Sequence, residues 1–369
     1  MALTLPASPT VGQTYALGTK TWTWNGTSWK ALVNTSSVAS YDTTTTSTGY
    51  FSLPAGTTAQ RPSTPTVGNT RWNTTLSVGE LWNGTTWVAY YSLPLSIDYL
   101  IVGGGGAGGG SPATNMTGAG AGAGGYIAGS TTILSNAVTT IAVGAGGSIV
   151  TNDRGTNGGN SVAFTLTAYG GGGGGGGVGA NGTAPGNSGG SGGGTAGWWT
   201  GVVSGGTAIA GQGNNGGAGG VVNGAGGGGG ANGVGIGGSS TGGNGGAGLN
   251  WQSLGTYYAG GGGGGAYNGG SAATAGTGGL GGGGDGSSST GSSLTGGAAG
   301  TANRGGGGGG AGAWYSGSVG QTNRDGFAGG SGIVIIRYQA TSQRCTGGTV
   351  TSAGGYYYHT FTASGSFTT

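Results

Sequence analysis

Phe164-Thr-Leu-Thr-Ala-Tyr169 leads without a break into Gly170–Gly177, eight consecutive glycines. The first half is β-branched and aromatic, the composition of a strand. The second half has no side chains at all. Each glycine in an ordered segment costs roughly 0.5–1 kcal/mol more than alanine in lost backbone freedom. A chain with such a run either leaves it disordered or uses something only glycine permits. Without Cβ atoms, bare backbones pack side by side and their N–H and C=O groups satisfy one another directly.

The junction recurs. Asp98-Tyr-Leu-Ile-Val102 and Thr256-Tyr-Tyr-Ala259 also lead into glycine, and further runs lie at Gly226–Gly230, Gly260–Gly265 and Gly305–Gly310. Glycine fills 107 of 369 positions, so these runs must set the architecture. Collagen needs a strict Gly-X-Y period and abundant proline; the chain has eight prolines and no sustained triplet. A flexible Gly/Ser linker fits the runs but has no reason to repeat a strand-to-glycine junction. The remaining reading is a bundle of left-handed polyglycine II helices. At three residues per turn and about 3.1 Å per residue, the eight-glycine run spans about 25 Å.

Strand candidates are Ile97–Val102, Thr131–Leu134, Val138–Val143, Val162–Tyr169 and Ile333–Tyr338. No stretch carries an amphipathic helical period. The expected fold is therefore all-β with no α-helix: small N-terminal β-hairpin repeats, then a β-sandwich carrying the polyglycine-II bundle on its long connections.

The N-terminal repeat is explicit. Pro9-Thr-Val-Gly12 precedes Trp24-Asn-Gly-Thr-Ser-Trp29, and Pro65-Thr-Val-Gly68 precedes Trp82-Asn-Gly-Thr-Thr-Trp87. Asn-Gly between aromatics predicts a tight type I′ hairpin. The paired tryptophans either meet across the turn or lie on opposite faces. Each module is too small to bury a core alone. The expected organisation is a hairpin module over 1–33, a Ser/Thr-rich linker over 34–53, a second module over 54–96, the glycine-rich domain over 97–338 and a C-terminal strand segment over 339–369.

Charge is sparse: nine Lys+Arg against six Asp+Glu, with basic residues such as Arg61, Arg154, Arg304 and Arg324 standing alone in sequence. That is too dilute for a phosphate-binding surface, so no nucleic-acid partner is expected. The one cysteine, Cys345, has no intrachain partner and reads as an isolated thiol. The N-terminus lacks the pattern of a signal peptide, and Ile333–Ile336 is far too short for a membrane span, so no membrane insertion is expected. The only histidine, His359, lies in an aromatic strand and reads as structural. Asp42, Glu80, Asp98, Asp153, Asp285 and Asp325 are widely spaced, with no glycosidase-like pair. Asp153 and Asp285 lack the clustered oxygen ligands of a Ca²⁺ site. No enzyme activity, cofactor or metal is expected.

Three stretches resemble bacteriophage tail-fibre and adhesin proteins with a glycine-rich domain: Ile97-Asp-Tyr-Leu-Ile-Val-Gly-Gly-Gly-Gly106, Gly329-Gly-Ser-Gly-Ile-Val-Ile-Ile-Arg-Tyr338 and Tyr358-His-Thr-Phe-Thr-Ala-Ser-Gly-Ser-Phe367. Arg61-Pro-Ser-Thr-Pro-Thr-Val-Gly and Leu81-Trp-Asn-Gly-Thr-Thr-Trp87 are similar to small modules of phage virion proteins. The resemblance implies a virion component, usually a homotrimer, assembled in the host cytoplasm. Such a component sits at the tail or baseplate and touches the host surface. In that family the His-Thr-Phe-type strands often precede the glycine-rich domain. Here they end the chain, which raises the expectation that the last strand pairs with Ile97–Val102.

The remaining candidates are aromatics stranded in glycine: Trp198-Trp199, Trp251, Tyr257-Tyr258, Tyr267 and Trp314-Tyr315. They either plug the bundle or present a receptor-binding surface, since Tyr and Trp give large contact area at low entropic cost. Trp198, Trp199, Tyr267, Trp314 and Tyr315 are the receptor-binding candidates, with a host-surface glycan or protein as partner. Trp22, Trp24, Trp29, Trp72, Trp82 and Trp87 are the assembly candidates, anchoring to other tail or baseplate proteins. The alternative is a purely structural virion component.

Overall fold

The computed structural model describes the chain except residues 1–5, 18–19, 33–52, 93, 112–115, 135–136, 152, 179–181, 198–201, 221–223, 269–272, 291–292 and 315–323. Contacts divide it into two compact units, Met1–Ser92 and Leu93–Thr369. The described residues are all-β, with no α-helix and two single 3₁₀ turns, Thr58–Gln60 and Trp251–Ser253.

In the first unit each module is an antiparallel meander. Strands β1 (Thr14–Leu17), β2 (Lys20–Trp24) and β3 (Trp29–Leu32) form the first. The second adds a short strand in front: β4 (Ala55–Gly56) runs parallel to β5 (Thr70–Asn73), followed by β6 (Val78–Trp82) and β7 (Trp87–Ser92). The turns correct the type I′ expectation. Only the glycine takes positive φ, +98° at Gly26 and +103° at Gly84. Asn25 Oδ1 instead accepts the backbone N–H groups of Thr27 and Ser28, and Asn83 Oδ1 those of Thr85 and Thr86. The side chain closes the loop, so asparagine has no need of the left-handed region.

The second unit is built on a five-stranded antiparallel sheet. Its strands are β8 (Leu95–Val102), β9 (Tyr126–Ile133), β13 (Ile333–Gln339), β14 (Thr349–Ala353) and β15 (Tyr356–Phe361), ordered β14-β15-β13-β8-β9. A second layer comprises β10 (Val138–Ile141) paired with β16 (Gly365–Thr368), and the hairpin β11 (Ser161–Ala163)–β12 (Leu166–Ala168). Ile97, Ile101, Val334, Ile336, Tyr338 and Phe361 of the sheet bury against Ile141, Ala163, Ala168 and Phe367 of this layer. Each such aliphatic or phenyl side chain contributes roughly 1.5–3 kcal/mol. The opposite face, Leu100, Val102, Ile333 and Ile335, packs on Trp251 and Ala259 at the root of the glycine segments. Strands β8 and β13 are thus covered on both faces, which explains their unbroken apolar runs.

Two expectations are overturned. The last strand does not pair with Ile97–Val102: β9 and β13 flank β8, and β16 pairs with β10 in the second layer. Val162–Tyr169 is not one strand but a hairpin that turns at Phe164 and Thr165, with φ of +51° and +65°. No glycine or asparagine marks that turn. Phe164 is tolerated there because its ring packs on Tyr99, centroids 5.7 Å apart.

The glycine segments form rods, and their hydrogen bonds state the geometry. Along 103–111, the N–H groups of Gly104, Ala107 and Gly110 donate to Gly159, Thr156 and Asp153. Those of Gly105, Gly108 and Ser111 donate to Gly330, Phe327 and Arg324, and those of Gly103, Gly106 and Gly109 to Gly125, Gly122 and Ala119. Every third residue meets the same neighbour, so the rod has three residues per turn. Positive-φ glycines such as Gly211, Gly255, Gly281, Gly297 and Gly305 fall at rod ends and turns, not inside rods. A three-residue screw at negative φ is the left-handed polyglycine II helix. The rod 118–125 is central. It donates to rods containing Gly308, Gly172 and Gly229, and accepts from rods containing Gly262, Ser191 and Gly106. Six neighbours surround it, all joined through backbone.

Candidate functional site

Glycine is required in these rods for approach rather than for φ. A Cβ on Gly105 would collide with the carbonyl of Gly306, on Gly120 with that of Gly262, and on Gly122 with that of Ser191. Close approach lets each N–H reach a carbonyl on a neighbouring rod at 2.7–3.1 Å over most of the bundle. Buried peptide groups are therefore satisfied without a sheet.

Rod direction fixes which end of the bundle each described glycine segment reaches. Rod 118–125 runs into β9, toward the sheet. The segments through Gly194, Gly262 and Gly308 all bond to it in antiparallel register, so they run away from the sheet. These three segments lead into Trp198-Trp199, Tyr267 and Trp314-Tyr315. Bridges between rod ends gather the same pole: Ser111 with Arg324, Thr117 with Gly197, and Gly224 with Ala266. Tyr267–Asn268 pairs in parallel with Ala313–Trp314, and Ala266 N–H donates to Ser287. Residues separated by more than a hundred positions in sequence thus share one end of the bundle.

Trp198, Trp199 and Tyr315 lie outside the described residues, and for Trp314 only the backbone is described. Tyr267 is 6% exposed, which corrects its assignment to a presented surface: it is packed within the bundle's pole. Trp251, Tyr257 and Tyr258 belong to the other end. Trp251 is buried against the sheet, and with Leu254, Thr256, Tyr258, Tyr358 and Thr360 it lines a cleft of about 150 Å³. Arg337 lies between the Trp251 and Tyr356 rings, 5.4 and 4.5 Å from their centroids, and pairs with Asp98 at 2.9 Å.

The assembly candidates do meet across their turns. Trp24 and Trp29 sit with ring centroids 5.7 Å apart, and Trp82 and Trp87 at 5.8 Å, both tilted by 55°. Tyr15 packs 6.3 Å from both Trp22 and Trp29. Trp72 is half-buried on β5.

Sequence reasoning missed the polar core of the second module. Arg61 does not stand alone: its guanidinium bonds Glu80 at 2.7 Å, across 19 residues of sequence. Glu80 is 1% exposed and also receives Asn73 Nδ2 at 3.1 Å, with Arg71 Nε at 3.4 Å. Burial pushes the Glu80 carboxyl up, but hydrogen bonds from Arg61 and Asn73 and the charges of Arg61 and Arg71 outweigh it, holding the group below its ordinary range. The signal available was the contrast between modules: Tyr15 and Trp22 in the first stand where the second has Arg71 and Glu80.

His359 and Cys345 are both buried in the second unit. His359 is fully buried, its Nδ1 2.7 Å from the Gly347 carbonyl and its ring edge-on to Phe367. Burial pushes the Cys345 thiol up to about 11, keeping it protonated and unreactive. Asp285 accepts the Gly278 N–H, and Asp153 that of Arg154. Among the described residues no three His, Cys, Asp or Glu cluster to hold a metal, and no helix is long and apolar enough to cross a membrane.

A family model for a glycine-rich domain matches residues 77–339, more than two-thirds of the chain, and the chain belongs to that glycine-rich-domain family. No curated protein matches it.

Proposed function

We propose that this glycine-rich-domain protein is a non-enzymatic bacteriophage tail-fibre or receptor-binding protein. Its N-terminal modules anchor to the virion, and the pole of its glycine bundle opposite the sheet contacts a host-surface glycan or protein. The observation that carries the reading is the shared direction of the rods preceding Trp198, Tyr267 and Trp314. A bundle bonded through its backbones is stiff, so its end is a fixed platform. Stiff presentation of aromatics is what a binding surface needs. Three described carboxylates are already engaged, in keeping with a non-enzymatic reading: Glu80 and Asp98 are tied into ion pairs and Asp285 accepts a backbone N–H.

A second reading, a purely structural virion component, is favoured by the burial of Tyr267, which plugs rather than presents. Alanine at the pole separates the two. A receptor-binding protein loses host-cell attachment in Trp198→Ala/Trp199→Ala while remaining folded. A structural component keeps its place in the particle and is indifferent to that change.

A further inference from the structure

The two N-terminal modules are copies of one scaffold, finished differently. In both, the glycine of Pro-Thr-Val-Gly donates to the tryptophan before the turn, Gly12 to Trp24 at 2.8 Å and Gly68 to Trp82 at 3.0 Å. Both strand pairs keep the same register, with Tyr15 opposite Trp22 and Arg71 opposite Glu80. In the second module a segment of the chain completes the edge. Trp72 N–H donates outward to the Pro54 carbonyl at 2.8 Å, and Thr74 N–H to Gly56 at 2.9 Å, making β4 a parallel added strand. The same segment then lays Arg61 on Glu80, while Arg71 donates to the Thr57 and Gln60 carbonyls.

The first module has the same edge and, among the described residues, nothing pairs with it: β1 is the outer strand of a three-stranded sheet. Ala16 occupies the place of Trp72, so its N–H points out of the sheet. Beside it, the half-buried Tyr15, Trp22 and Trp29 form an uncharged aromatic face where the second module has its ions. An unpaired edge next to an apolar face is a template for strand addition.

We propose that β1 is a docking site for an extended, uncharged segment of a partner polypeptide, added in parallel as β4 is added to β5. The second module supplies the reason for this occupant. It shows the mode of addition, and its ion pair shows that the side chain reaching across is matched to the residue beneath. Above Trp22 the match is apolar, so a cation there would be stranded without a counter-charge. The inference rests on the anchoring role proposed for these modules and names how it is done.

The test uses the full chain and two peptides, Leu53–Pro62 and its Arg61→Leu form. The uncharged peptide is expected to bind the wild type, and the parent at least about tenfold more weakly. Tyr15→Arg/Trp22→Glu should invert that preference. Ala16→Pro removes only the outward N–H, which leaves the β1–β2 ladder intact, and should weaken binding of the uncharged peptide by about tenfold or more. Near-ultraviolet circular dichroism of the tryptophan pairs reports whether the module stays folded. Failure of both peptides on wild type and double variant alike overturns the proposal, as does unchanged binding to a folded Ala16→Pro. Particle incorporation is read separately. Ala16→Pro protein that no longer binds peptide but still enters virions leaves the docking site standing and overturns anchoring through it.

Discussion

The carbonyl of Gly306 occupies the space that a Cβ on Gly105 would need. The obstacle is backbone, which cannot rotate aside, and the same arrangement repeats across the bundle. Glycine is kept in the rods by their neighbours, not by their torsions. Gly105→Ala should therefore destabilise the second unit by roughly 1–3 kcal/mol or more, the cost of overpacking a close-packed interior. Gly237→Ala is the control, because the nearest atom to a Cβ there is the Ala218 carbonyl at an ordinary 3.5 Å. It should be neutral, or stabilising by about 0.4–1 kcal/mol through reduced unfolded-state entropy. Thermal unfolding of both variants against wild type checks the contrast.

The second module should be acid-labile. Glu80 is held below its ordinary value of 4.5, so its contribution is present above that pH and is lost as pH falls below it. Glu80→Gln leaves Arg71 buried without its counter-charge and should cost roughly 3–5 kcal/mol, a large fraction of what so small a module has. Tryptophan fluorescence followed from pH 7 to pH 3 should show a transition in wild type that Glu80→Gln has already undergone.

The aromatic pairs across the turns should be energetically coupled. A double-mutant cycle on Trp82→Ala and Trp87→Ala is expected to give about 0.5–1.5 kcal/mol of interaction beyond their separate losses. Denaturant unfolding of the four proteins in the cycle measures it.

His359 should give the second unit a pH dependence of its own. Burial holds the imidazole below its ordinary value of 6.5, against the pull of the Gly347 carbonyl, so the folded state binds the proton less readily than the unfolded chain. Stability is then full above about 6.5 and falls as pH drops below it. Differential scanning calorimetry between pH 7.5 and 5.5 should show this slope in wild type and a flatter one in His359→Gln, whatever that variant's absolute stability.

Much of this fold can be read in the chain, because its strongest signals are local. The strand-to-glycine junction at Val102 and the run Ile333–Ile336 each announce their structure in a few residues. What escapes is set by contacts remote in sequence. Phe164 and Thr165 turn at positive φ, with the phenyl ring packed on the remote Tyr99, and nothing nearby in sequence says so. Arg61 looks solitary until β4 brings it over Glu80. The aromatics stranded in glycine are alike in sequence, yet rod direction sends Trp251 to the sheet and Tyr267 to the opposite pole. Tyr267 reads as a surface residue because its burial comes from neighbouring rods and not from its own flanks.

The most direct test is attachment of the purified full-length protein to a panel of intact bacterial cells, comparing wild type with Trp198→Ala/Trp199→Ala and with Trp314→Ala, each first shown to unfold at the wild-type temperature. Receptor binding through the pole opposite the sheet predicts that wild type attaches to at least one strain and that the pole variants lose about tenfold or more in apparent affinity, as expected for aromatic hot spots. Attachment that survives both sets of substitutions, or a wild-type protein that is built into particles yet attaches to no strain, would contradict the account.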